Sequence, residues 1–432
     1  MVQGSALLLE SRLSPMWMDF LRRAGGIAQG RGEALYLVGG VVRDLLLGRG
    51  IVDLDLVVEG DAIALARRLA QELAGKARTH PRFGTAKVEM AGWSADLASA
   101  RSETYAHPGA LPQVTPASIA EDLARRDFTV NAMAICLEPA HFGQLLDIHG
   151  GFPDLKARLI RILHPGSFMD DATRILRALR YEQRLDFQLE SETEALMRWQ
   201  TKMLDTISGD RLRHELELIF QEEYPEKVLA RAEKLGVLAA ISSGLRGDGW
   251  LTEALRCARR LGEPRGSTLE LCFLLLAYPL GEAQVESFIR RLHFPAQVSR
   301  NLRALSRLKA LLPSLAAPDM SPVRIYHHLH PFSPLTLRAV SLALGPGMPK
   351  GCIDLYLDRL RSLSPFLDGD DLRRMGVSPG PRLGRMLRAL LEAKLEGKVS
   401  SREEEQALVK EWLEKGASGG AAPGRGGKPA SR

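Results

Sequence analysis

Two acidic residues near the amino end of this 432-residue chain have the spacing of a metal-binding pair. Asp53 and Asp55 stand in the run IVDLDLVVEG, whose alternation predicts a strand with both carboxylates on one face, about 7 Å apart. Two like charges at this spacing are costly unless a cation lies between them, and oxygen ligands with room for water suit Mg²⁺. The pair therefore indicates two-metal phosphoryl transfer, although a lone DxD is more often the solvated edge of a strand.

A glycine turn and an arginine precede this pair, in the run LYLVGGVVRDLLLG. The pattern predicts a buried strand that ends at Gly39 and Gly40, followed by a helix that closes at Gly48. A strand, glycine turn and helix start present bare backbone N–H groups to an anion, and Arg43 in the first helical turn could add bidentate contacts. A tight turn would explain the glycines alone, so the combination predicts a triphosphate-binding turn beside a metal pair.

The elements that must hold these residues change character near residue 150. Short β-rich runs alternate with helical ones from about residue 33 to 150, which predicts a small domain with a sheet. Beyond it, apolar residues recur at helical spacing almost to the end, and we expect no further strands. Residues 416–432 are glycine-rich and of low complexity, which predicts disorder.

The composition is that of a soluble globular protein, with 45% hydrophobic and 25% charged residues. The longest apolar run, LELCFLLLAYPL, is too short to cross a bilayer and predicts a buried helix. With no signal-peptide pattern at the amino end, we expect a cytoplasmic location and no membrane partner. The four cysteines lie far apart without CxxC spacing, which predicts reduced core thiols, and the net charge of +6 is compatible with an anionic partner such as RNA.

These motifs, in order and spacing, resemble the class II tRNA nucleotidyltransferase and bacterial poly(A) polymerase family. LVGGVVRDLLLG followed by DLDLVV is similar to the family signature, EDLARRDFTVNAMAI to its RRD motif, and FMDDATRILRALRYEQRLDF to its base-selecting helix. The resemblance implies an α+β fold in which a polymerase-β-like nucleotidyltransferase head precedes an all-helical neck, body and tail. The implied parts are an N-terminal segment 1–32, head 33–150, neck 151–220, body 221–350, tRNA-binding tail 351–415 and disordered tail 416–432.

The resemblance implies template-independent transfer of CMP and/or AMP from CTP or ATP to the 3′ end of tRNA. The reaction uses Mg²⁺ at a two-metal site and releases pyrophosphate, and no obligate protein partner is expected. Carried onto this sequence, the family's roles give metal ligands Asp53 and Asp55, triphosphate contacts Gly39, Gly40 and Arg43, and phosphate and sugar contacts Arg125, Arg126 and Asp127. Asp96, in SADLASAR, is the candidate third catalytic carboxylate on a neighbouring strand, although an exposed strand aspartate is just as common.

The base-selecting segment can also be interpreted physically. On one continuous helix, Asp170, Asp171 and Arg174 would share a face. The carboxylate accepts hydrogen bonds and the guanidinium donates them, which matches the amino donor and ring-nitrogen acceptor of adenine and cytosine but not the carbonyl and N–H of guanine and uracil. An ordinary intrahelical salt bridge is the alternative interpretation. The later run SGDRLRHELELIF resembles another family helix, in which Arg211 and Glu215 could equally form a structural pair.

Further arginines are candidate phosphate contacts. Arg177, Arg180 and Arg184 share an arc of the same helix without acids on that arc, so we predict that Arg177 and Arg180 contact the nucleotide and leave Arg184 open. In the tail, MGVSPGPRLGRMLRALLEAKLEG joins a Gly-Pro-rich turn to a basic helix, where Arg382 and Arg385 could bind a tRNA phosphate. A loop that caps the last helices is the alternative.

The sequence leaves the choice of nucleotide open. The family's selecting motif usually begins Glu-Asp, whereas this chain has Asp170 and Asp171, and relatives include enzymes that add CCA, CC or only A. A poly(A) polymerase is a second hypothesis, disfavoured by the lack of a long basic tail. A catalytically inactive RNA-binding protein is a third, disfavoured because Asp53, Asp55 and Arg43 are intact.

Overall fold

The computed structural model of the protein describes residues 5–110, 112–262 and 264–417. The chain divides into two compact units. Met1–Thr252 with Glu286–Phe294 make up the first unit, and Glu253–Val285 with Pro295–Arg432 make up the second. A mixed sheet lies in the first unit and helices dominate the rest, so the predicted α+β class is confirmed.

The strands belong to the first unit and most of them form a seven-stranded sheet. They are β1 (Ala34–Val38), β2 (Leu54–Glu59), β3 (Lys76–His80), β4 (Thr85–Met90), β5 (Trp93–Ser99), β6 (Arg101–Thr104), β7 (Gln113–Pro116), β8 (Ala134–Cys136), β9 (Leu145–Leu146), β10 (Leu159–Ile160) and β11 (Gln188–Leu189). The order in the sheet is β3-β4-β5-β2-β1-β8-β9, in which β2 and β5 run parallel and the other neighbours antiparallel. The expectation that strands stop after residue 150 is wrong, because β10 and β11 pair in parallel over two residues each.

Helices make up most of the remaining chain. They are α1 (Ser5–Arg12), α2 (Pro15–Gly30), α3 (Gly40–Leu47), α4 (Ala62–Glu72), α5 (Ile119–Ala124), α6 (Gly151–Ala157), α7 (Ser167–Asp170), α8 (Thr173–Leu185), α9 (Ser191–Gln200), α10 (Gly209–Phe220), α11 (Pro225–Lys234), α12 (Val237–Ile241), α13 (Gly249–Arg260), α14 (Arg265–Ala277), α15 (Glu282–Leu292), α16 (Ala296–Leu315), α17 (Pro322–Leu329), α18 (Pro334–Ala343), α19 (Met348–Asp358), α20 (Gly369–Arg374), α21 (Pro381–Leu395) and α22 (Arg402–Ala417). Short 3₁₀ helices lie at Pro81–Phe83, Thr129–Asn131, Pro139–His141, Thr201–Thr206 and Leu360–Ser362.

The two faces of the sheet differ in character because side chains alternate along each strand. On β2, Leu54, Leu56 and Val58 are buried on the face that α4 covers, and α4 also contacts β3, β4 and β5. Each of these apolar side chains contributes about 1.5–3 kcal/mol on burial. Asp55, between the buried leucines, lies on the opposite face and is exposed. The packing of α4 therefore fixes which side of the sheet carries the acidic residues.

Several simpler expectations are settled by the structure. The apolar run predicted to be a buried helix forms α14, and no helix in the described ranges is long and apolar enough to span a bilayer. All four cysteines are free, but Cys136 and Cys257 are partly exposed rather than core residues. Of the segment predicted to be disordered, the first two residues continue α22, and 418–432 lie outside the described residues.

Candidate active site

The predicted carboxylates converge on neighbouring parallel strands. The register of β2 and β5 places Asp55 directly opposite Asp96, and Asp53 lies one residue before β2. The Asp55 side chain is accessible, but the surrounding protein partly desolvates it and so raises its pKa. The negative charges of Asp96 and Asp53 raise the pKa of Asp55 further, and the positive charges of Arg126 and Lys87 lower it. Asp96 lies on the strand next to Asp55, as expected, and its role as a third catalytic carboxylate stays a prediction.

The carboxylates suit a divalent cation whose coordination shell is completed by oxygens of the substrate. Within the described ranges, no group of three or more acidic, histidine or cysteine residues forms a ready-made metal site. The Asp55 carboxylate accepts no hydrogen bond from any described residue, and Asp96 on the neighbouring strand places a second negative charge beside it. Mg²⁺ sites of this kind use one or two carboxylates and take their remaining oxygens from water and substrate phosphates. Asp53 and Asp55 are therefore suitable ligands, although they do not form a closed cage.

The glycine turn has the predicted form. Gly39 adopts φ 72° and ψ −134°, a conformation that favours glycine, α3 begins at Gly40, and Gly48 closes the helix in the left-handed region. A β-carbon on Gly39 would lie 2.7 Å from Nη1 of Arg126. The positive φ thus favours glycine at this position, and a β-carbon there would also displace the guanidinium that lies over it.

Arg43 does not occupy the place predicted for it. Its side chain is buried, donates from Nη1 to Asn131 Oδ1 at 2.6 Å, and donates from Nε and Nη2 to the two carboxylate oxygens of Asp44 at 2.9 Å each. The guanidinium also lies 5.3 Å from the centre of the Tyr181 ring. Its donors are thus committed to protein groups, and Arg43 supports the turn from the Gly40 side rather than lining the cleft.

Asp122 organises the predicted RRD motif and was missed by sequence reasoning. It is fully buried and accepts from Arg125 at 2.6 and 3.0 Å and from Arg126 at 2.9 and 3.3 Å. Arg125 also donates to Glu103, whereas Nη1 of Arg126 has no partner among the described residues. An acid three and four positions before a pair of arginines is the helical spacing of ion pairs, and that signal could have identified it.

Asp127, which is buried, forms a second ion pair with the partly exposed Arg177. Arg177 donates to Asp127 Oδ2 from Nη2 at 2.6 Å and from Nε at 3.0 Å, and the Asn131 side chain donates to Oδ1. Burial alone would raise the pKa of Asp127, but Arg177, the Asn131 hydrogen bond and the charge of Arg174 outweigh it and lower this pKa. Asp127 is therefore ionised and fixes Arg177 at the cleft wall.

The base-selecting segment is not one continuous helix. The chain breaks at Asp171, which has φ −143° and ψ 101°, between α7 and α8. Its Oδ1 accepts from the N–H and hydroxyl of Thr173 and from Arg211 at 2.8 Å. A short acidic side chain that bonds its own nearby backbone competes with the helix, so the prediction that Asp170, Asp171 and Arg174 share a helical face is wrong. The alternative pairing of Arg211 with Glu215 is also wrong, because Arg211 binds Asp171.

Arg174 is held by neighbouring protein groups. It is buried and donates to Ser167 Oγ at 2.6 Å and to the Arg125 carbonyl at 2.7 Å. It nevertheless lines the same cavity as Asp171. The two predicted selecting groups are therefore brought together by the fold, although not by helical periodicity.

The outer arginines of α8 have acidic partners after all. Arg180 lies 3.6 Å from Glu215 and 3.5 Å from Glu222, and Arg184 lies 2.5 Å from Glu222. The inference that these arginines lack acids and need a phosphate partner is wrong, because the acids come from α10 and the turn after it. Arg177 lines the second of the two cavities described below, and its contact with the nucleotide stays a prediction. Arg180 is buried and lines neither cavity.

Two cavities meet at the glycine turn. The first cavity, of about 500 Å³, contains Asp55, Asp96 and residues of the outer strands β3 and β4. The second cavity, of about 330 Å³, is lined by the predicted selecting residues and by Glu103, Tyr105, Asp127, Asn131, Arg177 and Tyr181. The two share Gly39, Gly40, Arg125 and Arg126. A phosphate chain at the turn would thus lie between the carboxylates and a nucleoside-sized space.

The predicted RNA contacts of the tail lie in the second unit. Arg382 and Arg385 are exposed in the first turns of α21, which follows Gly380, and neither has a partner among the described residues. Their exposure is compatible with the predicted phosphate contact.

Comparisons with known proteins show which family the chain is similar to. Residues 35–161 match the family described as the poly A polymerase head domain, and residues 186–246 match the one described as a probable RNA and SrmB-binding site of polymerase A. The chain is 34% identical to the A-adding tRNA nucleotidyltransferase of Halalkalibacterium halodurans, over 94% of this chain and 95% of that relative. It is also 34% identical to the A-adding enzyme of Geobacter sulfurreducens, over 93% of this chain but 48% of the relative, so it spans about half the length of that protein.

Solved structures extend the likeness to the fold. The Thermotoga maritima CCA-adding enzyme complexed with tRNA matches with a TM-score of 0.76 at 31% identity, over 95% of this chain and 98% of that one. Other similar proteins are named CC-adding tRNA nucleotidyltransferases and CCA-adding enzymes, the latter with structures in complex with CTP and with ATP.

Proposed function

The chain belongs to the tRNA nucleotidyltransferase and poly(A) polymerase family, and from this premise we propose that it adds CMP and/or AMP to the 3′ end of tRNA. The donors are CTP and ATP, no nucleic-acid template is used, and pyrophosphate is released. The observation that carries the proposal is the pairing of Asp55 with Asp96 in a cavity that shares its glycine turn with the cavity of Asp171 and Arg174.

Enzymes of this family are metal-dependent, and we propose Mg²⁺ as the ion here. Bound to Asp53, Asp55 and the substrate phosphates, Mg²⁺ would activate the attacking hydroxyl and stabilise the departing pyrophosphate. The chain's own groups bind and orient the nucleotide: the backbone N–H groups after Gly39 and the free Nη1 of Arg126 are suited to the triphosphate. The attacking group is the 3′-hydroxyl of the RNA and the attacked atom is the α-phosphorus.

The second cavity supplies the choice of base. All three hydrogen bonds to Asp171 reach Oδ1, so Oδ2 is free of described partners and could accept from the exocyclic amino group of adenine or cytosine. Arg174 supplies the guanidinium beside it. Guanine or uracil would present a carbonyl to Asp171 and leave buried polar groups unpaired, at about 1–3 kcal/mol for each group.

The names of the relatives bear on which nucleotide is added. The two curated relatives compared above are A-adding enzymes, which favours AMP transfer onto tRNA that already ends in CC. CC addition and complete CCA addition are the alternatives within the same family.

We propose that residues 351–415 bind tRNA through Arg382 and Arg385. The division of the chain into head, neck, body and tail is part of this proposal.

The test is incorporation of labelled CTP and ATP, supplied separately with Mg²⁺, onto tRNA transcripts ending before CCA, after C and after CC. Addition of A to the CC-ended tRNA alone would identify an A-adding enzyme, and ordered addition of both nucleotides a CCA-adding one. An unstructured RNA primer distinguishes a poly(A) polymerase, which would extend it equally well. Asp55→Asn should abolish addition and leave tRNA binding intact, and failure of the wild type to extend any tRNA would overturn the proposal.

A further inference from the structure

One row of charged side chains crosses four strands of the sheet. The registers of β3 with β4, β4 with β5, and β5 with β2 place Arg78 opposite Lys87, Lys87 opposite Asp96, and Asp96 opposite Asp55. Directly opposed residues point to the same face, and neighbouring strands lie about 4.8 Å apart. The face is the one opposite α4. Two cations therefore continue the line of the two carboxylates toward the edge of the sheet, and this charged row was not predicted from the sequence.

The side chains of Arg78 and Lys87 are accessible and keep N–H donors that contact no described residue. Lys87 Nζ lies 3.2 Å from Asp96 Oδ2, and the Lys87 side chain is 37% exposed. Arg78 uses its Nε on Glu89 at 2.9 Å, and its side chain is 73% exposed. An ammonium has three donors and a guanidinium five, so each retains N–H groups without a partner among the described residues. Both line the first cavity together with His80.

The position of the row decides which phosphate it fits. Gly39 and Arg126 lie on the β1 side of the carboxylates, next to the second cavity, and are suited to the nucleotide triphosphate. Arg78 and Lys87 lie on the other side, toward the sheet edge. In phosphoryl transfer the attacking and leaving oxygens are in line across the phosphorus. With the pyrophosphate on the glycine side, the attacking hydroxyl and the strand that carries it approach from the side of the charged row.

We propose that Arg78 and Lys87 bind the phosphodiester groups of the last nucleotides at the 3′ end of the RNA. The inference rests on the proposed function, which supplies an RNA hydroxyl as the attacking group. A guanidinium binds phosphate oxygens in a bidentate manner and an ammonium binds them as a point charge. By bridging Asp96 and the RNA, Lys87 brings the terminal nucleotide to the carboxylates.

The experiment compares Arg78→Gln, Lys87→Gln and the double variant with the wild type. Arg67→Gln is the matched control, because Arg67 is an exposed cation on α4, which covers the opposite face of the sheet. We expect the KM for tRNA to rise about fivefold to tenfold in each single variant while the KM for the added nucleotide stays within about twofold. Lys87→Arg should restore most of the tRNA affinity.

Direct tRNA binding without nucleotide, titrated over a range of salt concentrations, provides a readout that does not depend on addition. Each lost contact should lower the slope of log affinity against log salt by about 0.7, the value for single strands. A raised nucleotide KM with unchanged tRNA KM would assign the row to the triphosphate and overturn the inference. Variants that bind tRNA like Arg67→Gln, or that lose only kcat, would also overturn it. If the wild type binds tRNA but adds nothing, the proposed function fails while the binding comparison still decides the inference.

Discussion

Asp122→Asn should be among the most damaging conservative substitutions in the first unit. Asp122 is fully buried and accepts four hydrogen bonds from Arg125 and Arg126. The amide keeps one acceptor oxygen but turns an NH₂ group toward the other guanidinium, which loses its bonds and its counter-charge. Charge-assisted bonds contribute about 1.5–3 kcal/mol each and breaking a buried ion pair costs about 3–5 kcal/mol, so we expect the free energy of unfolding to fall by about 3 kcal/mol.

The same change should also weaken nucleotide binding, because Asp122 holds the Arg126 guanidinium over Gly39. Loss of one charge-assisted contact predicts a nucleotide KM about tenfold higher. Urea unfolding and steady-state kinetics measure the two effects, with Asp19→Asn as the control. Asp19 is 69% exposed and lies 3.8 Å from Arg23, so its change should cost less than about 0.5 kcal/mol.

Two results would refute this reasoning. An unfolding free energy for Asp122→Asn within about 1 kcal/mol of the control would show that the buried arginines do not depend on this carboxylate. Destabilisation with an unchanged nucleotide KM would show that the position of Arg126 over the turn does not matter for the triphosphate.

Three further predictions follow from the same contacts. Gly39→Ala should raise the nucleotide KM at least about tenfold, because the positive φ is strained for alanine by about 1–3 kcal/mol and the new β-carbon meets Arg126. Gly50 lies in open space, so Gly50→Ala should leave the KM unchanged. Equal KM values for the two variants would contradict the role of Gly39. Asp127 has a lowered pKa, so its stabilisation is present above its ordinary value of about 3.9 and is lost as the pH falls through the lowered value. The difference in unfolding free energy between wild type and Asp127→Asn should therefore shrink below about pH 4, and a constant difference down to about pH 2 would count against it. Arg174→Ala should lose about 1–3 kcal/mol of discrimination between ATP and GTP in kcat/KM, with triphosphate affinity less affected; an unchanged preference would remove Arg174 from base selection.

Sequence reasoning succeeded where one short segment determines its own structure. The strand, the glycine turn at Gly39 and the helix from Gly40 to Gly48 were predicted because glycine conformation and helix capping depend on neighbours in the chain. The face of Asp55 followed from alternation along a single strand. Such features need no knowledge of what packs against them.

The predictions that were wrong depended on partners distant in sequence. Arg180 and Arg184 looked unpaired because Glu215 and Glu222 belong to a later part of the chain. The break at Asp171 arises where a local bond to Thr173 and a contact with Arg211 compete with a periodicity that is otherwise helical. The charged row across β3, β4, β5 and β2 depends on strand registers, which the sequence of each strand leaves open.

Some cations of the site are fixed by hydrogen bonds to protein groups and others keep N–H donors for a substrate, and the two groups have different roles. Arg43, Arg174 and Arg177 have carboxylate, amide, hydroxyl or carbonyl partners within the protein, so they are oriented before any substrate arrives. Arg174 and Arg177 line the second cavity in these fixed orientations, whereas Arg43 supports the glycine turn. Nη1 of Arg126 and the outer cations of the charged row retain free donors on opposite sides of the carboxylates. Phosphate should therefore bind at these two places, one for the nucleotide and one for the RNA, and removing a free cation should change binding of only the substrate on its own side.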